Sequence, residues 1–170
     1  MMKRNRFVGS LLVLWFVVAV PLGPSLGGGL PPEPPSAKSK YLVTAGSGFA
    51  LALTEDPFEV RANYVLFLTP RKKLKDRAYL EVRFQNPVDA RNPLVTQAEI
   101  TPQDERLVVE SPSINSLQCA IYEATVYVYR DERRKELMGT HVQRIRSIVN
   151  LERVQTLEDY IASSMGGMCD

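Results

Sequence analysis

The stretch that decides the fold is "YEATVYVYRDERRKELMGTHVQRIRSIV", residues 122–149. Tyr122, Ala124, Val126 and Val128 alternate with Glu123, Thr125, Tyr127 and Tyr129, a period of two that belongs to a strand and not to a helix. A burst of charge, "RDERRKE", interrupts the pattern, and a second alternating run follows. Two such runs around a polar tip predict a β-hairpin.

A turn centred on Arg133 sets Arg130 across from Glu136, a favourable opposite-charge pair. In that register one face carries Tyr122, Ala124, Val126, Val128, Met138 and Val142 and reads as core. The other carries Ile121, Thr125, Tyr127, Tyr129, Leu137, His141 and Ile145. A slip of one residue would exchange the faces of one strand. The second face is more aromatic than solvent exposure requires, so Tyr127, Tyr129, His141 and Ile145 are the expected partner-binding residues. The plainer reading packs the two tyrosines under a loop or a C-terminal helix.

Working outward, further strands are expected at 41–45, 48–53, 58–68, 78–85, 94–100 and 106–110, with the hairpin strands at 119–130 and 137–149. Turn signals separate them: "AGSG", "TEDP", "TPRKK", "QNPVDARNP", "TPQDE" and "SPSINS". The prolines fall in the gaps, where they interrupt no ladder. Seven or eight short strands without an intervening helical period predict an all-β, immunoglobulin-like or transthyretin-like sandwich over residues 41–150. No tryptophan follows an early cysteine, which excludes the antibody-type core. After Asn150, an expected N-cap, the stripe Leu151, Val154, Leu157 and Ile161 predicts an amphipathic helix of about 12 residues. A helix that short must pack on the sandwich or on a partner. Residues 151–170 therefore read as helix and tail.

The N-terminus has a different character. Lys3, Arg4 and Arg6 precede an apolar run over residues 7–22, followed by "GPSLGGG". This is the layout of an export signal. About 16 apolar residues fall short of the roughly 20 that span a bilayer, which favours a cleaved peptide over an anchor. Ser25 and Gly27 place cleavage before Gly28. Residues 1–27 thus read as signal peptide or signal-anchor, and the proline-rich residues 28–40, "GGLPPEPPSAKSK", as a semi-extended linker. The bulk of the chain is expected outside the cytoplasm, periplasmic or secreted.

Charge and cysteines fit that compartment. The chain has 21 Lys and Arg against 19 Asp and Glu; without Lys3, Arg4 and Arg6 the balance is 18 to 19. A near-neutral remainder gives no basis for a nucleic-acid partner. Cys119 and Cys169, the only two cysteines, are a candidate disulfide, worth about 4 kcal/mol on the chain-entropy account. Cys169 stands behind Gly166 and Gly167 and serves equally as a free thiol or a bridge to another chain.

Catalytic sets are hard to assemble. In the hairpin as read, His141 faces Thr125 while Cys119 faces Ser147, about 20 Å away along the strand, too far for a thiol dyad. Ser47 in "TAGSGFA" lacks the nucleophile elbow, and its glycines read as a turn. One histidine and two distant cysteines do not form a familiar zinc set. Neither Glu55 with Asp56 nor Glu158 with Asp159 has calcium-loop spacing. No enzyme, cofactor or metal is expected.

The expectation is an exported, non-enzymatic sandwich that binds or scaffolds another cell-envelope or secretory-pathway protein. The alternative is a lipid- or small-ligand-binding sandwich. It would use Arg71, Lys72, Lys73, Lys75 and Arg77, a basic loop suited to an anionic membrane surface or to keeping sheet edges solvated.

Overall fold

The structure, a computed structural model, describes residues 40–55, 58–71, 74–154, 156, 158–159 and 161–162. The expected signal segment and most of the linker lie outside them. Among the described residues, no helix is long and apolar enough to cross a membrane.

Among the described residues, seven strands form two antiparallel sheets: β1 (Leu42–Glu55), β2 (Phe58–Pro70), β3 (Ala78–Phe84), β4 (Leu94–Ile100), β5 (Leu107–Glu110), β6 (Ile121–Tyr129) and β7 (Leu137–Arg146). One sheet runs β1-β2-β5 and the other β4-β3-β6-β7.

Alternation builds the core. Ala78, Leu80, Val82 and Phe84 of β3 are buried, as are Tyr122, Ala124, Val126 and Val128 of β6. Ala62, Tyr64, Leu66 and Leu68 of β2 belong to the same apolar cluster, so both sheets contribute to one core. Each large apolar side chain buried there contributes about 1.5–3 kcal/mol. At its centre the Tyr64 ring stacks on Phe84 at 5.3 Å and meets Phe49 at 4.7 Å and Tyr122 edge-on at 5.8 Å. Burial raises the Tyr64 hydroxyl far above the ordinary phenol range, and that hydroxyl donates to the Gln85 carbonyl at 2.8 Å. The Tyr122 hydroxyl ties the entry of β6 to the preceding loop. It donates to the Gln118 carbonyl at 3.1 Å and accepts from the Gln118 amide at 3.0 Å.

Three sequence expectations need correction. First, the glycines of "AGSG" make no turn. Gly46, Ser47 and Gly48 pair with Phe67, Leu66 and Val65, and β1 is one strand of 14 residues. The extra residue, Ala45, is absorbed as a bulge between Thr44 and Gly46.

Second, the β6–β7 hairpin follows the expected register only at its tip. Arg130 does face Glu136, with a backbone bond of 3.0 Å and an ion pair of 2.8 Å, and Tyr129 faces Leu137. The register then shifts, so that Val128 pairs with Gly139 and Val126 with His141. Met138 is the residue passed over. From there on, β7 is turned over relative to the expectation: His141, Gln143 and Ile145 point inward and Val142 outward.

Third, Asn150 does act as an N-cap, its side chain accepting from the Glu152 amide, but it caps only a 3-10 turn at Leu151–Arg153. Leu151 and Val154 join the core. Helical residues come later, at 158–159 and 161–162, after a reciprocal cap in which the Thr156 hydroxyl accepts from the Asp159 amide and the Asp159 carboxylate from the Thr156 amide. Ile161 is 47% exposed, and Leu157 lies outside the described residues.

Candidate functional site

The outer face of the four-stranded sheet is assembled by the odd-numbered positions of β3, β4 and β6. Across it, Glu99, Tyr79, Tyr129 and Leu137 form one row, and Gln97, Glu81, Tyr127 and Thr140 the next. Val95, Arg83, Thr125 and Val142 form the third. Tyr79, Tyr127 and Tyr129 are all half-buried. Tyr127 and Tyr129 stack at 6.5 Å, and the Arg83 guanidinium lies 5.0 Å from the Tyr127 ring centre. Such an exposed cation–π contact contributes about 0.5–1 kcal/mol. Arg83 is itself held by Glu81 at 2.7 Å, and this bond raises its pKa further above its ordinary value. Val95 and Leu137 are large apolar side chains left in the open. The result is a flat patch of fixed aromatic rings, a braced guanidinium and aliphatic flanks.

The four expected partner-binding residues are not brought together. Tyr127 and Tyr129 lie on this face, but His141 and Ile145 are only 3% and 1% exposed and lie on the opposite side of the sheet. The Met138 bulge separates them. Sequence reasoning missed Tyr79 and Arg83, which β3 brings beside the tyrosines of β6. Their strand is readable, but its neighbour in the sheet is not.

His141 belongs to a polar seam where β7 meets the first half of β1. Its Nε2 lies 2.6 Å from the Thr44 hydroxyl, while Nδ1 is buried without a hydrogen-bond partner. The Gln143 amide reaches the Ser47 hydroxyl at 3.4 Å. Burial, and secondarily the nearby charge of Arg71, lower the imidazole pKa, so at neutral pH the ring is uncharged. Close packing completes the seam: a Cβ on Gly139 would stand 2.9 Å from the Tyr41 ring.

Facing Val126 instead of Thr125, His141 stands about 23 Å along the hairpin from Cys119 at a rise of about 3.3 Å per residue. Cys119 is held in a disulfide, and Cys169 lies outside the described residues. Among the described residues, no three of His, Cys, Asp and Glu converge as a metal-ligating group.

Of the basic loop, Arg71, Lys75 and Arg77 are exposed, and Lys72 and Lys73 lie outside the described residues. Arg77 is paired with Glu99 at 2.8 Å. Among the described residues, the open depression beside Leu74, about 560 Å³, is bordered by Thr69, Pro70, Pro102 and Gln103 and by the acidic Asp104 and Glu105. Asp104 also accepts from the amide and hydroxyl of Thr101, and these bonds hold its pKa down.

Compared with family models, with curated proteins and with solved structures, the chain matches none.

Proposed function

We propose that the chain is an exported, non-enzymatic β-sandwich of immunoglobulin-like type that binds another cell-envelope or secretory-pathway protein through the outer face of its four-stranded sheet. The observation that carries the reading is the patch of Tyr79, Tyr127 and Tyr129 braced by Arg83. Tyrosine and arginine on a rigid sheet supply contact area with little entropy to lose, and they are the residues enriched at the centres of interfaces. A merely solvated face needs none of them.

Two features favour the immunoglobulin-like architecture. The order β1-β2-β5 against β4-β3-β6-β7 is that of strands A-B-E against C′-C-F-G, and the Tyr122 hydroxyl bonded back to Gln118 at the start of β6 resembles the tyrosine corner of strand F. Export rests on the basic, then apolar, N-terminal sequence.

The test is a crosslinking pull-down of the full chain from membranes, with N-terminal sequencing of the recovered protein. Replacing Tyr127 and Tyr129 by serine should leave the fold intact and abolish the co-purifying partner. Undiminished recovery of that partner would reject the face. The alternative, anionic-surface binding through Arg71, Lys72, Lys73, Lys75 and Arg77, has less support because Arg77 is already paired with Glu99. Reversing Lys72, Lys73 and Lys75 to glutamate should leave partner recovery unchanged. Under the alternative it would abolish liposome binding.

A further inference from the structure

Among the described residues, two antiparallel sheets in this order leave four edge strands: β1, β5, β4 and β7. Unpaired backbone on an edge is a template for another strand, and proteins blunt it with short length, charge, proline or bulges. Three of the edges carry such devices. β5 has four residues and is followed by Pro112. β4 begins after Pro93 and carries Glu99. β7 carries Arg144 and Arg146 and is bulged at Met138.

β1 differs. Its residues 42–54, "LVTAGSGFALALT", contain no charge and no proline. The bulge at Ala45 and the seam with β7 protect only its first half, through Thr44 and Ser47. Residues 48–53 pair with β2 on one side, and among the described residues no strand pairs with them on the other. Phe49, Leu51 and Leu53 pack against the core from this edge yet are only partly buried, and Ala52 is exposed on the opposite face. The core is thus left incompletely covered along six residues of open backbone, a seam about 20 Å long.

We propose that residues 48–53 of β1 pair antiparallel with the same residues of a second copy of this chain, joining two three-stranded sheets into one of six strands. The strand's own pattern points to the occupant, since Phe49, Leu51 and Leu53 alternate with Ala50 and Ala52 symmetrically about Leu51 and none of them is charged. A two-fold antiparallel pair brings the residues nearest its axis, here Ala50, Leu51 and Ala52, close to their own counterparts, so a charge there would meet its like. A strand built to receive a different partner has no such constraint. A two-fold axis through Leu51 places Phe49 opposite Leu53 of the second copy and Ala50 opposite Ala52, which covers the open apolar row on both molecules. The nearest charges on β2, Glu59 and Arg61, already neutralise each other at 2.8 Å. This surface is separate from the tyrosine face, so each can be tested without the other.

The experiment is sedimentation equilibrium of the full chain in a nonionic detergent over a wide concentration range, with circular dichroism to monitor the fold. The wild type should dimerise reversibly. Ala52→Lys and Ala52→Glu should each weaken the dimer at least about tenfold, since like charges then stand diagonally about 7–8 Å apart across the seam. An equimolar mixture of the two variants should regain a heterodimer. A wild type that remains monomeric up to about 1 mM, a concentration that detects even weak pairing, overturns the proposal. So does a dimer that survives Ala52→Lys, because association then lies elsewhere on the chain.

Discussion

The molecule contains two long hairpins, β1–β2 and β6–β7, and they solve the problem of exposed backbone in opposite ways. The β6–β7 hairpin ends in a charged turn built around Asp131 and carries Arg144 and Arg146 on its outer strand. The β1–β2 hairpin has an outer strand without charge over residues 42–54 and is bulged near its start. Both place apolar side chains in the same core, so the difference is not one of burial. It lies in what each outer strand presents sideways, and it separates an edge meant for water from one suited to another strand.

The largest expected effect comes from the ring that joins the two hairpins. Tyr64 of β2 is fully buried and touches Phe49, Phe84 and Tyr122. Tyr64→Ala should cost about 3–5 kcal/mol, the range for an aromatic side chain removed from a core. That loss is comparable to the whole stability of a marginal domain. Chemical denaturation followed by far-UV dichroism should show both hairpins lost in one transition. A surviving β6–β7 ribbon would mean that the hairpins are independent units and that the shared core is not what couples them.

The seam between the hairpins gives an intermediate, pH-dependent effect. Burial lowers the pKa of His141 from its ordinary 6.5. The unfolded chain therefore takes up a proton as pH falls through about 6.5, whereas the folded chain resists it until lower pH. Stability is full above that value and declines below it, with a slope limited to about 1.4 kcal/mol per pH unit for one proton. Urea midpoints at pH 7.5 and 5.5 should differ in the wild type and converge in His141→Gln. A midpoint that rises on acidification would mean that His141 gains a partner as a cation, contrary to the side chains that surround it.

The seam also marks how far the sequence could be read. Strand β4 falls at 94–100 as expected, β3 and β5 lie within one residue of expectation, and the Arg130–Glu136 pair forms. In each case the information is local: alternation, proline in the gaps, opposite charges about a turn. Within the sheets, the failures are the two bulges. Ala45 lets β1 continue through "AGSG", and Met138 turns His141 and Ile145 from the outer face to the core. A bulge inserts one residue without requiring a distinctive side chain, yet a shift of one reverses every later position in a strand. The candidate face was therefore legible as Tyr127 and Tyr129 only. Tyr79 and Arg83 enter through a pairing between strands distant in sequence.

The smallest expected effect lies at the tip that makes one hairpin a solvent edge. The Asp131 carboxylate accepts from the Glu136 amide at 2.7 Å and the Lys135 amide at 3.0 Å. These bonds, that to Glu136 foremost, hold its pKa below the usual carboxylate range. They also hold the turn in which Arg134 takes a left-handed backbone, φ 54°. Asp131→Asn keeps an acceptor but removes the charge that makes both bonds strong. Hydrogen exchange at the Lys135 and Glu136 amides should accelerate, while the denaturation midpoint stays nearly unchanged because the group is solvated. In the wild type the same acceleration should appear on acidification through the carboxylate range, since the contribution of a depressed carboxylate is lost as it protonates. If exchange instead quickened along the whole of β7, the tip would be organising the hairpin, and the contrast with β1 would rest on local order more than on edge charge.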